Sequence, residues 1–245
     1  KHVHYMESFP SEAVKNNIFG TANVMDACEQ AGVERLVMLS TDKAVRPRGV
    51  MGATKRTAEY LLMRRASGGS TTKASAVRFG NVLGSRGSVV PLFIKQIREG
   101  GPVTISDPEA SRFFMTLREA CMLVVQASIW GKGGEIFILR MGSPIKILEL
   151  AKDLIALHGF KPGIDVKTAI TGLRPGEKLN EDLVAGREKV EKSKNDYILV
   201  THPNVPSAAD LDSAMEKLKM FSEDGDDKGI RAVLNELVED AELEG

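Results

Sequence analysis

Apolar residues fall along the chain in two kinds of run, short unbroken ones and longer ones with helical spacing. Leu36, Val37, Met38 and Leu39 form an apolar run too short for a helix, the pattern of a parallel strand covered on both faces. It stops abruptly in Ser40-Thr41-Asp42-Lys43, and a helix over 50–66 follows, with Met51, Ala58, Leu61 and Leu62 as its apolar positions. Upstream, residues 1–6 alternate in polarity, and Pro10-Ser11-Glu12 predicts a helix start with Ser11 as N-cap. Val14, Ile18, Ala22, Met25 and Cys28 then line one stripe of a helix ended by Gly32. Asn16 and Asn17 interrupt that stripe, either facing solvent or anchoring a water or a carbonyl near the strand end. Further strands are predicted at 74–78, 103–105, 135–139 and 166–171, and helices at 92–99, 117–130, 145–158, 210–221 and 228–237. Short strands alternating with helices define an α/β fold, a doubly wound parallel sheet with helices on both faces.

In open sheets of this kind ligands bind beyond the carboxyl ends of the strands. Thr41, Asp42 and Lys43 therefore bring a hydroxyl, a carboxylate and an amine to the usual place for chemistry. The same residues equally suit a strand end, a Pro-Arg-Gly turn and a helix start that favours polar side chains. Met51 and Lys55, four apart, share one face of the next helix. Residues 79–91 hold three glycines and two serines, a connection with free amides that can wrap a phosphate or simply turn. In 173–179 a Pro175-Gly176 turn is flanked by Arg174, Glu177 and Lys178. It is either solvated surface or a rigid fork for a phosphate group.

Composition, 42% hydrophobic and 27% charged, is that of a globular chain long enough for one large or two modest domains. The net charge is zero but unevenly spread: residues 205–245 carry 12 acids against 4 bases, leaving 21 acids and 29 bases before them. A basic body suits an anionic ligand such as a nucleotide, although scattered surface lysines give the same excess. No basic-aromatic interleaving argues for nucleic acid. Cys28 and Cys121 lie in apolar helical patterns, as buried thiols of a reduced compartment do. Four scattered histidines make no metal site, and no apolar run approaches the ~20 residues of a membrane span.

Five motifs, in order, carry a resemblance. They are Lys15-Asn16-Asn17-x-x-Gly20-Thr21-x-Asn23-Val24, Ser40-Thr41-Asp42-Lys43-Ala44-Val45, Val50-Met51-Gly52-Ala53-Thr54-Lys55-Arg56, the segment 78–91, and Leu173-Arg174-Pro175-Gly176-Glu177-Lys178-Leu179. Together they resemble the CapD-like bacterial polysaccharide-biosynthesis UDP-N-acetylglucosamine 4,6-dehydratases, a branch of the extended short-chain dehydrogenase/reductase superfamily. The resemblance runs from residue 1 to about 202. It implies a Rossmann-like fold whose glycine-rich pyrophosphate turn lies upstream of this sequence, so that the chain looks like the carboxyl-terminal part of such an enzyme. The expected division is 1–85 for the dinucleotide-binding part, 86–204 mainly for the nucleotide-sugar, and 205–245 for an acidic helical tail.

The resemblance also implies an internal redox dehydration using NAD or NADP and a UDP-sugar. Lys43 is then the base at C5, Asp42 the acid for the departing C6 hydroxyl, and burial is expected to keep the amine neutral and the acid protonated. Met51 stands where the superfamily has Tyr, leaving Thr41 or a water to handle the C4 hydroxyl. Lys55, with Lys1 and Ser40, is expected at the cofactor; Asn81, Arg86, Arg112, Arg174 and Glu177 are expected to hold the UDP part. Implied too are a homo-oligomer and a cytoplasmic location, at the inner membrane's cytoplasmic face if absent amino-terminal segments anchor it. The alternatives are a UDP-sugar epimerase on the same fold and a non-catalytic fragment that only binds nucleotide-sugar or oligomerises.

Overall fold

The computed structural model describes residues 2–186 and 188–243. In chain order the elements are α1 (Val3–Ser8), α2 (Pro10–Ala13), a π-helical turn (Val14–Phe19), α3 (Gly20–Gln30), β1 (Arg35–Leu39), a 3-10 turn (Asp42–Ala44), α4 (Val50–Ser67), β2 (Lys73–Arg78), β3 (Asn81–Val82) and α5 (Val89–Arg98). Then follow β4 (Val103–Ile105), β5 (Ser111–Arg112), β6 (Phe114–Met115), α6 (Leu117–Trp130), β7 (Ile136–Leu139), β8 (Ile145–Lys146), α7 (Ile147–Leu157), β9 (Thr168–Ile170), β10 (Val190–Lys192), β11 (Ile198–Thr201), α8 (Ala208–Asp224) and α9 (Asp227–Leu237).

The main sheet runs β1-β2-β7-β11-β10, with β1, β2 and β7 parallel and β11 antiparallel to β7. Its two middle parallel strands are apolar because helices cover both faces. Alternate residues serve opposite sides: Ala74, Ala76 and Ile136 pack with Ala58, Leu62 and Met63 of α4, while Val77, Phe137 and Leu139 pack with Ala120 and Ala127 of α6. Among the described residues β1 lies at the sheet edge, and Leu39, expected on a strand covered on both faces, is 51% exposed. The run 190–201, not anticipated as strand, returns to this sheet as β10 and β11, within the stretch expected to serve mainly the nucleotide-sugar.

A separate core joins Phe93 and Ile97 of α5, Val103 and Ile105 of β4, and Ile147, Ala151 and Ile155 of α7. The acidic tail packs on the body: Leu211, Leu218, Ile230, Val233, Leu234 and Leu237 bury against Ala13, Val14, Ile18, Val50 and Tyr60. Each such side chain contributes roughly 1.5–3 kcal/mol on burial, which holds α8 and α9 on α4 despite their acidic outer faces. Arg231 of α9 bonds the Glu7 carboxylate at 2.7 Å, and Glu7 in turn accepts from Val50 N at 2.5 Å. The tail thus steadies the amino-terminal end of the helix that carries Met51 and Lys55.

Two local expectations differ. Residues 3–8 are helical instead of continuing an alternation. Pro10 opens α2, so Ser11 lies inside it and Phe9 occupies the N-cap position without a side-chain bond; proline at the first helical turn removes a donor that had no partner there. Asn17 points to Thr54 of α4 at 3.0 Å, whereas Asn16 bonds the Glu12 carbonyl.

Candidate active site

β1 ends at Leu39, and the chain turns into a short 3-10 turn whose N-cap is Thr41, its hydroxyl accepting from Lys43 N at 3.3 Å. Ser40 N still bonds Val77 O at 2.8 Å and Asp42 N bonds Phe79 O at 3.2 Å, so the turn stays tied to β2 and its continuation. α4 can approach it because residue 52 is glycine. A Cβ there would lie 2.1 Å from the Lys43 carbonyl oxygen. Gly80 is likewise needed, since a Cβ on it would stand 3.0 Å from Asp42 Oδ2 and 3.0 Å from Phe113 Cβ.

A cleft of about 580 Å³ opens beyond this strand end. Ser40, Thr41, Lys43, Met51, Lys55 and Asn81 line it together, with apolar walls from Leu39, Phe79, Val82, Leu117, Ala120 and Val124. Lys55 donates to the Leu39 carbonyl at 3.0 Å; burial lowers its pKa, with Glu59 opposing. Met51 is buried at the wall. Cys121, expected to be buried, is exposed and borders the same cleft, and Cys28 is half-buried.

Asp42 is fully buried, as expected, but does not line the cleft and stands behind its wall. Its Oδ1 accepts from Thr41 Oγ1 at 2.9 Å and from Lys43 Nζ at 3.0 Å, so it communicates with the cleft through those two side chains. Lys43 departs further from expectation. Burial alone would lower its pKa, but the Asp42 and Glu181 carboxylates outweigh that and raise it, with Arg112 opposing. The amine is an ammonium here, because its nearest neighbour is a carboxylate and not another cation.

Ser40 Oγ donates to Glu59 Oε1 at 2.6 Å, pointing into a buried quartet rather than outward. In that quartet Arg78 donates to Glu59 at 2.8 and 2.7 Å and to Glu188 at 3.0 and 2.8 Å, and Arg56 reaches the same two carboxylates at 3.1 and 2.9 Å. Two carboxylates against two guanidiniums leave the group neutral, with all three guanidinium nitrogens of Arg78 engaged and Arg56 joining through Nη1. Glu59 titrates low: burial would raise it, and the Arg78 and Arg56 charges overcome that.

The side chains expected at the UDP part are dispersed. Asn81 lines the cleft. Arg112 is buried, and its guanidinium bonds the carbonyls of Ser111, Lys178 and Leu179 at 2.7 to 2.9 Å, which fastens the 178–179 segment to β5. Arg86 and Arg174 are exposed and Glu177 is half-buried; none of the three lines the cleft, and the Glu177 carboxylate accepts from Arg174 N at 3.2 Å. Lys1 lies outside the described residues. The sequence reading missed Glu181, 3.4 Å from Lys43 Nζ. Its only signal was its position just after the Arg-Pro-Gly-Glu-Lys turn.

A parallel sheet covered by helices on both faces, with a cleft beyond its carboxyl edge, is a Rossmann-type scaffold. Residues 1–203 match the family described as polysaccharide biosynthesis protein, and the chain belongs to it. It is 50% identical over 209 residues to the capsular polysaccharide biosynthesis protein CapD of Staphylococcus aureus, covering 82% of this chain and 35% of CapD. It is 40% identical over 188 residues to a UDP-N-acetylglucosamine 4,6-dehydratase (inverting) of Campylobacter jejuni, covering 76% of this chain and 54% of that one. It is also 41% identical over 191 residues to a UDP-glucose 4-epimerase of Rickettsia canadensis, covering 77% and 54%. The X-ray structure of Pen from Bacillus thuringiensis superposes with a TM-score of 0.75 at 40% identity, over 85% of this chain and 64% of Pen. The chain thus spans about a third to two thirds of the length of these proteins.

Proposed function

We propose that this chain carries the acid–base half of a 4,6-dehydratase that uses NAD or NADP and converts a UDP-N-acetylhexosamine, UDP-N-acetylglucosamine in the first instance, to a 4-keto-6-deoxy sugar for polysaccharide biosynthesis. The observation that carries the reading is the hydrogen-bonded pair Asp42–Lys43, 3.0 Å apart, beside a cleft shared with Met51 and Lys55. The nicotinamide end of a dinucleotide fits the residues present, since apolar side chains line a cleft shared with a lysine whose Nζ bonds a strand-end carbonyl. When bound, that group supplies a reversible hydride acceptor.

The residues of this chain handle the protons. Thr41 Oγ1, which donates to Asp42, takes the C4 hydroxyl proton and passes its own to the Asp42 carboxylate, a task Met51 has no proton to perform. Oxidation at C4 acidifies the C5 proton, which the Lys43 amine removes. Asp42 supplies the proton with which the C6 hydroxyl leaves as water, through the side chains that connect it to the cleft. Asp42, once it holds the C4 proton relayed by Thr41, is the acid for C6, and Lys43 becomes the base by losing its ammonium proton to water in the cleft. After exchange with solvent Lys43 returns a proton to C5, which leaves both groups as they began the cycle, Asp42 a carboxylate and Lys43 an amine.

A 4-epimerase is the second reading, favoured by the Rickettsia relative. It needs a group that takes and returns the C4 proton but no acid for C6, so Asp42–Lys43 supports dehydration over it. Incubating the cofactor-loaded protein with UDP-N-acetylglucosamine and following proton NMR tests the proposal. A new C6 methyl doublet supports it, and a 4-epimer without that doublet overturns it.

A further inference from the structure

The acid–base cluster holds a buried carboxylate that the proposed steps do not use. Glu181 is 7% exposed, and its Oε1 stands 3.4 Å from Lys43 Nζ and 4.0 Å from Arg112 Nε, its Oε2 3.9 Å from Lys178 Nζ. Among the described residues, neither Oε2 nor Asp42 Oδ2 has a hydrogen-bond partner. Structural carboxylates in this protein look different: Glu59 and Glu188 are filled with bonds of 2.6 to 3.1 Å from serine and arginine. A buried carboxylate left with long contacts and an idle oxygen is costly to the fold and marks a functional group.

The segment that bears Glu181 is strapped down. Lys178 Nζ donates to Val45 O at 2.7 Å, just past the 3-10 turn, and Ser111 bonds Leu179 O at 3.1 Å and the Asn180 side chain at 2.7 Å. The Arg112 fork closes over the same backbone. These ties bring a carboxylate from a distant part of the chain to the amine and hold it there.

We propose that Glu181 is a positioning residue for Lys43, gripping its Nζ from the 178–181 segment while Asp42 grips it from the strand-end turn. This rests on the dehydratase reading for its purpose, not for its geometry. The groups facing Lys43 are then Asp42 and Glu181 as carboxylates, with Arg112 and Lys178 as further cations. Two carboxylates keep the ammonium in place and poised. They also govern when its proton is given up, because removing one weakens the hold on the charged form.

The test reads Lys43 directly. Its side chain is 21% exposed, so acetic anhydride can label it in trace amounts, with peptide mass spectrometry giving the rate against pH in the absence of substrate. In Glu181→Gln the midpoint is expected to move to lower pH, and labelling below the midpoint to rise about tenfold. The acidic limb of the turnover profile should move the same way. Glu181→Asp, which keeps the charge but retracts it, should shift the midpoint less, and it stands in if the glutamine variant does not fold. An unchanged midpoint in a folded variant overturns the proposal, whatever the turnover. A shifted midpoint in a protein that never forms the keto sugar leaves Glu181's role intact and removes the dehydratase reading instead.

Discussion

Gly52→Ala separates chemistry from stability. The added methyl would sit 2.1 Å from the Lys43 carbonyl oxygen, 3.0 Å from the Lys43 carbonyl carbon and 3.0 Å from Pro47 Cβ. Ordinary contact needs about 3.5 Å, so the turn and the helix must together give by about 1.4 Å. The obstructing atoms are backbone, which no rotamer change can clear. For the fold the effects oppose each other: alanine gains about 1 kcal/mol over glycine in a helix, and overpacking costs about 1–3 kcal/mol, leaving a net loss of about 0–2 kcal/mol. For the reaction nothing offsets the movement of Lys43, and a misplacement of about 1 Å lowers turnover by about 100-fold. Urea unfolding and NMR-monitored turnover measure the two sides, and a crystal structure reads the Asp42–Lys43 separation. A variant that is stabilised, with turnover within about threefold of the parent and the 3.0 Å bond unchanged, would refute the argument, since a shift of about 1 Å should not be silent.

The buried quartet gives two further expectations. Glu59→Gln leaves Arg78 and Arg56 facing one carboxylate, and loss of one member of a buried pair costs about 3–5 kcal/mol; a urea-measured loss below about 1 kcal/mol contradicts the assignment. Because the folded-state pKa of Glu59 is depressed, its contribution is present above the unfolded carboxylate pKa and is lost as pH falls through the lower folded value. Stability measured downward from neutral pH should therefore decline less steeply in Glu59→Gln than in the parent, and parallel profiles would count against it. Arg231→Ala frees Glu7 from α9 and loosens the Val50 cap; a loss of about 1–2 kcal/mol with faster amide exchange at Val50 is expected, and unchanged exchange would show that the tail does not steady α4.

How much of this was legible follows from which interactions are local. The run 36–39 and the helical spacing after residue 50 announce a strand and a helix because their periodicity is carried by neighbours in the chain. Thr41, Lys43, Met51, Lys55 and Asn81 come together because a parallel strand, its following helix and the next strand's connection meet at one sheet edge. The charge state of Lys43 was legible only in part: Asp42, the first of the carboxylates that hold the amine charged, is its neighbour in the chain, but Glu181 is delivered through tertiary ties from residues 178–181. Asp42 could be placed beside Lys43 in sequence but not behind the wall formed around Gly80. The arginines expected at a diphosphate illustrate the same limit. Arg112's fork is taken up by backbone carbonyls that only the folded chain brings near. Arg78, a charge at the end of an apolar strand, was the visible trace of the quartet, but its partners Glu59 and Glu188 could not be paired with it by spacing. β10 escaped notice because Val190-Glu191-Lys192 is an exposed, charged edge with no alternation, whereas β11, Ile198-Leu199-Val200-Thr201, is an apolar run of the same kind as 36–39 and was legible.

UDP-N-acetylglucosamine deuterated at C4, turned over by the cofactor-loaded protein and analysed by NMR, addresses the assignment of Asp42 and Lys43 most directly. Deuterium should be recovered in the C6 methyl group of a 4-keto-6-deoxy product, with solvent hydrogen at C5, and both should vanish in Lys43→Met. Deuterium retained at C4 of an epimer, or methyl product formed undiminished by Lys43→Met, would contradict it.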